Sequence, residues 1–212
     1  MKNLKLPEKF VPRIIMTIGG VSLCAAAVGF FKCSLFGVDP FQCFAQGVWG
    51  RFFDGTVSYG SYYVVLSILL LIVNLFLDRH YIGIATFFNL FLTGYIVDFS
   101  RATIEKLCPS PSLGVRILFL LIGVLVMCFA SSLYMTSDLG VSVYDSIPIV
   151  FSNRTGWQFR FVRIAADLVC VTIGFLAGLL PGIGTLITAF FMGPLIDFFN
   201  RKFSVPLLDK FK

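Results

Sequence analysis

Few residues in this chain have types and spacing suited to chemistry, and they fall in three short stretches. In TSDLGVSVYDSIP, residues 136–148, Asp138 and Asp145 flank Ser142. In RFVRIAADLVCVTIGF, residues 160–175, Arg163 precedes Asp167 by four positions, one helical turn on the same face. In CSLFGVDPFQCFA, residues 33–45, Asp39 and Gln42 occupy the place that Ser142 and Asp145 hold later on. An acid with a basic partner inside an apolar helix is the arrangement used to bind a polar solute or to carry a proton across a membrane. The competing reading for Arg163 and Asp167 is a structural ion pair, with the arginines reaching toward the headgroups. For Ser142, Asp145, Asp39 and Gln42 the competing reading is helix capping. For Asp138 it is a place in the polar interface.

Those side chains need elements to position them, and the local signals are helix starts. Ser142-Val143-Tyr144-Asp145 reads as a capping box, with the helix beginning at Ser142-Val143. Asp39 is a strong N-cap, Pro40 suits the first helical position and Gln42 sits at N3. Gly37 and Gly140 supply the turn before each start. Short helices are therefore expected over about 40–53 and 143–153. Around them run six apolar stretches, Ile14–Phe31, Tyr62–Leu77, Ile82–Val97, Ile117–Met135, Ile164–Leu180 and Ile183–Ile196. Each approaches the ~20 residues that span a bilayer. With 58% hydrophobic and 13% charged residues, the chain has too little charge to cover a soluble surface.

The chain also repeats itself. A shift of 103 positions lays Arg13 on Arg116, Gly20-Val21 on Gly123-Val124 and Gly37-Val38 on Gly140-Val141. A shift of 99 lays Gly83-Ile84 on Gly182-Ile183, Thr86 on Thr185, Gly94 on Gly193 and Asp98-Phe99 on Asp197-Phe198. The expected fold is an all-α polytopic membrane protein of two tandem repeats. Each would have three long transmembrane helices plus one short broken or half-spanning helix. The segments are 1–12, a cytoplasmic N-terminal stretch; 13–102, the first repeat; 103–115, a linker; 116–202, the second repeat; and 203–212, a basic tail. If the short helices cross the bilayer, the repeats are parallel, four plus four segments, and fifteen of the seventeen Lys and Arg residues lie on one side. If they do not cross, the repeats are inverted and the division is twelve to five. The positive-inside rule selects the parallel arrangement, with both termini cytoplasmic.

Several functions are excluded or disfavoured. The net charge of +6 is spread over segment ends and makes no nucleic-acid footprint. The first apolar stretch, with AAA at 25–27, imitates a signal peptide, but five further spans follow it. Six scattered cysteines without a CxxC, and a single histidine, His80, leave a metal site little to build on. Cys33 and Cys43 could pair if they face an oxidising compartment. No nucleophile motif suggests an enzyme, and no cofactor is expected. Asn74, Asn89 and Thr86 read as interhelical hydrogen-bonding residues. Gly83, Gly94, Gly182, Gly184 and Gly193, with Thr86 and Thr185, read as small faces that admit the short helices. Trp49 and Trp157 suit interfacial belts.

The DLGVSVYD of residues 138–145, with GIGT at 182–185 and GPLIDFF at 193–199, resembles the YczE/YyaS/YitT group of small bacterial integral membrane proteins. The first half departs from that pattern, with Leu35 and Gln42 where the second half has Asp138 and Asp145. The resemblance implies a multi-pass protein of the bacterial inner membrane and no particular activity. From the residues, the expected function is transport of a small polar or zwitterionic metabolite. Its site would lie between the broken helices, built from Asp138, Ser142, Asp145, Arg163, Asp167, Asp39 and Gln42. The alternative is a non-transporting membrane partner: a substrate-binding subunit, assembly factor or regulator. The expected partners are the lipid bilayer and an unidentified small molecule, and a homo-oligomer is left open.

Overall fold

A computed structural model describes residues 10–57 and 59–210. Most of the expected N-terminal stretch therefore lies outside the described residues, as do the last two residues of the tail. The helices are α1 (Phe10–Ser34), α2 (Pro40–Phe52), α3 (Tyr59–Leu77), α4 (Ile84–Leu107), α5 (Leu113–Ser137), α6 (Ser146–Thr155), α7 (Phe159–Leu176), α8 (Ile183–Phe199) and α9 (Val205–Lys210). A short 3-10 turn, Arg79–Tyr81, precedes α4, and a π-helical turn, Asn200–Ser204, joins α8 to α9. Three helical rods, Phe10–Ser34, Leu113–Ser137 and Ile183–Lys210, are each long and apolar enough to cross a bilayer, and Ser61–Leu77 and Ile84–Thr93 are shorter apolar helices. Large apolar side chains such as Phe76, Tyr95 and Leu121 point outward, as they do where the solvent is lipid.

The core is the seam between α1 and α5, which run antiparallel. At one end the Arg13 guanidinium donates to the Ser137 carbonyl at 2.8 Å; at the other Arg116 Nε donates to the Ser34 carbonyl at 2.8 Å. Midway, Gly20 lies against the backbone of Ala130 and Tyr134, so a Cβ there would stand 2.9 Å from the Ala130 oxygen. Ala27 and Phe31 of α1 pack with Leu120, Val124, Met127 and Cys128 of α5, and with Met192 and Ile196 of α8.

Tracing the chain between the Arg13 end and the Arg116 end of this seam fixes the course of the short helices. Helix α1 rises to the Arg116 end. Helix α3 finishes at the Arg13 end, where Arg154, at the tip of α6, donates to the Leu77 carbonyl and where Tyr81 O accepts from Val141 N at 2.9 Å. Nineteen helical residues span about 28 Å at 1.5 Å each, so α3 starts back at the Arg116 end. Helix α2 therefore leaves and returns to the same end. By the same reasoning α6 lies between the end of α5 and the start of α7, both at the Arg13 end. Helix α7 then climbs until Gly174 meets Cys43 and Gly47 of α2, and α8 descends from Gly182, which abuts Phe36.

Six long helices thus run between the two ends of the bundle, three of the rods being long and apolar enough to cross a bilayer, and two short helices leave and return at one end. This corrects the parallel, four-plus-four expectation. The physical reason is length. Helices of 13 and 10 residues cover only about 20 and 15 Å, short of the ~30 Å hydrocarbon core, and the antiparallel α1–α5 seam opposes the two halves.

Other boundaries shift as well. Helix α4 continues through residues 103–107, carried by the Arg101–Glu105 pair at 2.7 Å, and α5 begins at Leu113. Only 108–112 connect them, not the whole of 103–115. Residues 203–210 of the basic tail are helical. Cys33 and Cys43 are both buried free thiols and do not pair. The glycines at the starts of α4 and α8 admit the turns before the short helices and not those helices themselves. Gly83 packs on Leu139 and Gly140, and Gly182 on Phe36 and Gly37. The close approach to a short helix is instead Gly47 of α2 on Gly174 of α7, with 2.7 Å from an added Cβ to the Gly174 oxygen.

Candidate functional site

Each short helix is preceded by an extended segment that carries the chain into the bundle. Leu35 and Asp138 adopt the left-handed conformation at φ 58° and 54°, and Gly37 and Gly140 follow at φ 118° and 99°. Leu35 and Asp138 carry Cβ atoms in a region that costs L-residues about 1–2 kcal/mol, so the surroundings must hold these turns. They do so through α4 and α8. Ala85 N donates to Leu139 O at 3.0 Å and Thr86 Oγ1 to Val141 O at 2.7 Å. Likewise Gly184 N donates to Phe36 O at 2.8 Å and Thr185 Oγ1 to Val38 O at 2.6 Å.

Beyond these turns the two segments meet. The rings of Phe41, in the first turn of α2, and Tyr144, just before α6, stack with centroids 4.8 Å apart and planes 17° apart. The Arg163 guanidinium lies over the other partner's ring, 4.9 Å from the Tyr144 centroid. Arg163 also joins two carboxylates. Its Nε donates to Asp167 Oδ2 at 3.2 Å and its NH1 to Asp145 Oδ1. Hydroxyls complete both acids: Tyr144 donates to Asp167 Oδ1 at 2.5 Å, and Tyr134 and Ser142 donate to Asp145 Oδ2, the latter at 2.8 Å. The side chains of Arg163, Asp145 and Asp167 are 5%, 11% and 0% exposed, so water does not screen them.

Asp39 accepts from Gln42 N at 3.1 Å and so caps α2 as expected. It also lies within electrostatic range of Asp167, Arg163 and Asp145. Counted with Asp39, the described residues of this interior region supply one guanidinium and three carboxyl groups. The Gln42 side chain does not cap. It accepts from the Tyr59 hydroxyl at 2.7 Å and reaches toward Tyr63 at 3.5 Å.

The structure brings Asp145, Ser142, Arg163 and Asp167 together, puts Asp39 nearby and sets Asp138 apart. Helix α6 begins at Ser146 rather than at Ser142-Val143. Ser142 Oγ does accept from Asp145 N at 3.1 Å, but the Asp145 carboxylate turns inward to Arg163 instead of back to the chain. A buried charge-assisted bond outweighs an ordinary cap. Asp138 is half exposed at the Arg13 end, where it meets His80 Nε2 at 2.9 Å and Arg13 at 3.8 Å. It lines a cavity of about 250 Å³ whose walls do not include Arg163. Arg160 stays outside the cluster, over the Phe161 ring.

The residues missed from sequence are aromatic. Tyr134, Tyr144 and Phe41 complete the cluster, and one signal was present: Phe41 and Tyr144 are equivalent under the 103-position shift. Asn74 bridges as expected, its Nδ2 donating to Val143 O at 2.7 Å, and Thr86 does too. Among the described residues the Asn89 side chain bonds only Thr93 of its own helix, accepting from its hydroxyl. Among the described residues no group of three or more His, Cys, Asp or Glu side chains is arranged to hold a metal ion.

A family model described as a family of unknown function, DUF6198, matches residues 11–201. The chain is 27% identical over 187 residues to an uncharacterized protein of Haemophilus influenzae, covering 88% of this chain and 82% of that one. It is 24% identical over 205 residues to the uncharacterized membrane protein YczE of Bacillus subtilis, covering 96% and 92%. No solved structure matches.

Proposed function

Since the chain belongs to DUF6198, a YczE-like family of membrane proteins of unknown function, we propose from its own geometry that it transports a small polar or zwitterionic metabolite across the bacterial inner membrane. One observation carries this reading. Two short helices, re-entering from opposite ends, start in the interior and meet at the Phe41–Tyr144 stack beside the buried Arg163–Asp145–Asp167 cluster. Interrupted helices whose ends point at a shared site are how membrane carriers present amide groups and charge to a solute. Ionisable groups this deep are costly to bury and are kept for function or for pairing.

The same geometry supports an inverted two-fold repeat. Under a two-fold axis, if residue i touches j, the equivalents of i and j touch too. Arg13 with Ser137 and Arg116 with Ser34 form such a pair of contacts. So do Thr86 with Val141 and Thr185 with Val38. Phe41 and Tyr144, equivalent residues, touch one another, as residues on the axis must. With this topology, and leaving aside the buried Arg163, seven of the described basic residues fall at the Arg13 end and five at the other, which favours a cytoplasmic location for the Arg13 end.

The second reading is a non-transporting partner. The observation that favours it is the closure of the cluster: every oxygen of Asp145 and Asp167 already accepts a hydrogen bond within the protein. Reconstituted protein separates the two. Flux of one member of a panel of labelled amino acids and amines into liposomes, abolished by Asp167→Asn while the variant stays folded, is the expected result. Binding of a panel member with no flux for any of them would sink the carrier reading and favour the partner.

A further inference from the structure

We infer that the cavity at the Arg13 end is the entrance to the Arg163 cluster, and that Met135, Val141 and Ile149 form the apolar gate between the two. The inference rests on the carrier reading for its purpose, and it names the side from which a solute reaches the site. The cavity measures about 250 Å³, where a single water needs only ~10–15 Å³. Its lining runs from polar to apolar. Asp138 and Asn153 are exposed at the rim, while Val141 and Ile196 are 3% and 1% exposed at depth. The carboxylates of the wall are paired, Asp138 with His80 and Arg13, Asp197 with Arg201. Asn153 and Asn200 each spend one amide hydrogen, on Tyr81 and on Thr136, and keep the second. Donors and acceptors with no surplus of either charge suit water and a neutral or zwitterionic solute.

The floor of the cavity is the near wall of the cluster. Met135, Val141 and Ile149 line the cavity, and the same three side chains pack with Tyr134. The Tyr134 hydroxyl donates to Asp145, and Ser142, the residue after Val141, donates to the same carboxylate at 2.8 Å. Parting this apolar layer joins the cavity to Asp145 and, through it, to Arg163. The opposite wall is irregular. Asn200 lines the cavity and opens the π-helical turn Asn200–Ser204; such turns are rare and concentrate at functional sites. Under the 99-position shift the equivalent stretch, 101–105, is ordinary α-helix within α4. There Gly29 of α1 lies so close that an added Cβ would stand 3.1 Å from Arg101 N. The equivalent of Arg101 is Asn200, so the place where α1 and α4 meet backbone to side chain at the Arg116 end corresponds to a cavity wall at the Arg13 end.

The reporter is Ser142→Cys in the otherwise cysteine-free full chain, beyond the gate and beside Asp145. The probe is 2-(trimethylammonio)ethyl methanethiosulfonate, a membrane-impermeant thiol reagent, applied to one face of oriented vesicles at a time. The thiol is expected to react at least tenfold faster from the Arg13 end than from the Arg116 end. Adding Ile149→Trp, which fills the cavity at its floor, should slow the Arg13-side rate at least tenfold. If Ser142→Cys does not purify in folded form, the native Cys24, which packs on the same layer from α1, serves as the single thiol. If Ile149→Trp does not, Asn153→Trp at the rim replaces it and the same slowing is required. Equal rates from the two faces, a faster rate from the Arg116 end, no reaction from either face, or a rate indifferent to the tryptophan would each overturn the entrance. The readout needs no transported solute. Absence of flux with these rates intact would therefore sink the carrier and leave the entrance standing, and flux without them would do the reverse.

Discussion

Replacing Arg163 by Met removes the only cation from a pair of carboxylates that water does not reach. The side chains of Asp145 and Asp167 are 11% and 0% exposed, so neither can recover its hydration without opening the bundle. Removing one partner of a buried pair costs about 3–5 kcal/mol, because an uncompensated charge stays behind. Stability of a chain of this size moves by roughly 2–4 °C per kcal/mol. The predicted fall in melting temperature is therefore about 6–20 °C. Added salt should not reproduce or relieve it, because ions screen exposed pairs and not this one. The companion variant carries Arg163→Met together with Asp145→Asn and Asp167→Asn. It removes both carboxylates that Arg163 pairs, leaves Asp39 as it is in the single variant, and should recover most of the loss. Melting followed by intrinsic fluorescence in detergent, at low and high salt, reads all three quantities. A single variant that melts within 2 °C of the parent would refute the reasoning, and so would a triple variant that melts below the single one.

Three other outcomes follow from the packing and the thiols. Gly47→Ala and Gly174→Ala each place a Cβ against backbone at 2.7 and 2.6 Å, and each should destabilise by about 1–3 kcal/mol through overpacking, read as a lower melting temperature. Gly50→Ala, in the same helix as Gly47 but with nothing within 4 Å, should be neutral or stabilising by up to about 1 kcal/mol; a comparable loss there would undo the steric argument. All six cysteines should titrate as free thiols after denaturation without reductant, and reductant should leave the melting temperature unchanged. A thiol count of four would restore a Cys33–Cys43 bridge.

The six apolar stretches became six long helices because lipid leaves a chain few other ways to satisfy its backbone. Arg163 and Asp167 were legible together because a helix brings positions four apart onto one face. Asp145 was not legible as their partner. It lies across a turn and the start of another helix, and its local pattern spoke for capping. The topology misled for a related reason. Counting basic residues rewarded the more lopsided arrangement, while the lengths of α2 and α6 already forbade a full crossing. Phe41 and Tyr144 looked like two more aromatics in a chain with 25 phenylalanines and 7 tyrosines. Only their equivalence under the 103-position shift marked them out.

The account rests on two short helices that re-enter from opposite ends of the bundle. Single cysteines at Lys32, Asp54, Arg79 and Thr155, placed in a cysteine-free background and treated with a membrane-impermeant maleimide in oriented vesicles, test this directly. Lys32→Cys and Asp54→Cys should label from one side of the membrane, and Arg79→Cys and Thr155→Cys from the other. Labelling of positions 32 and 54 from opposite sides would mean that α2 crosses, and the meeting of two re-entrant helices at Arg163 would be wrong.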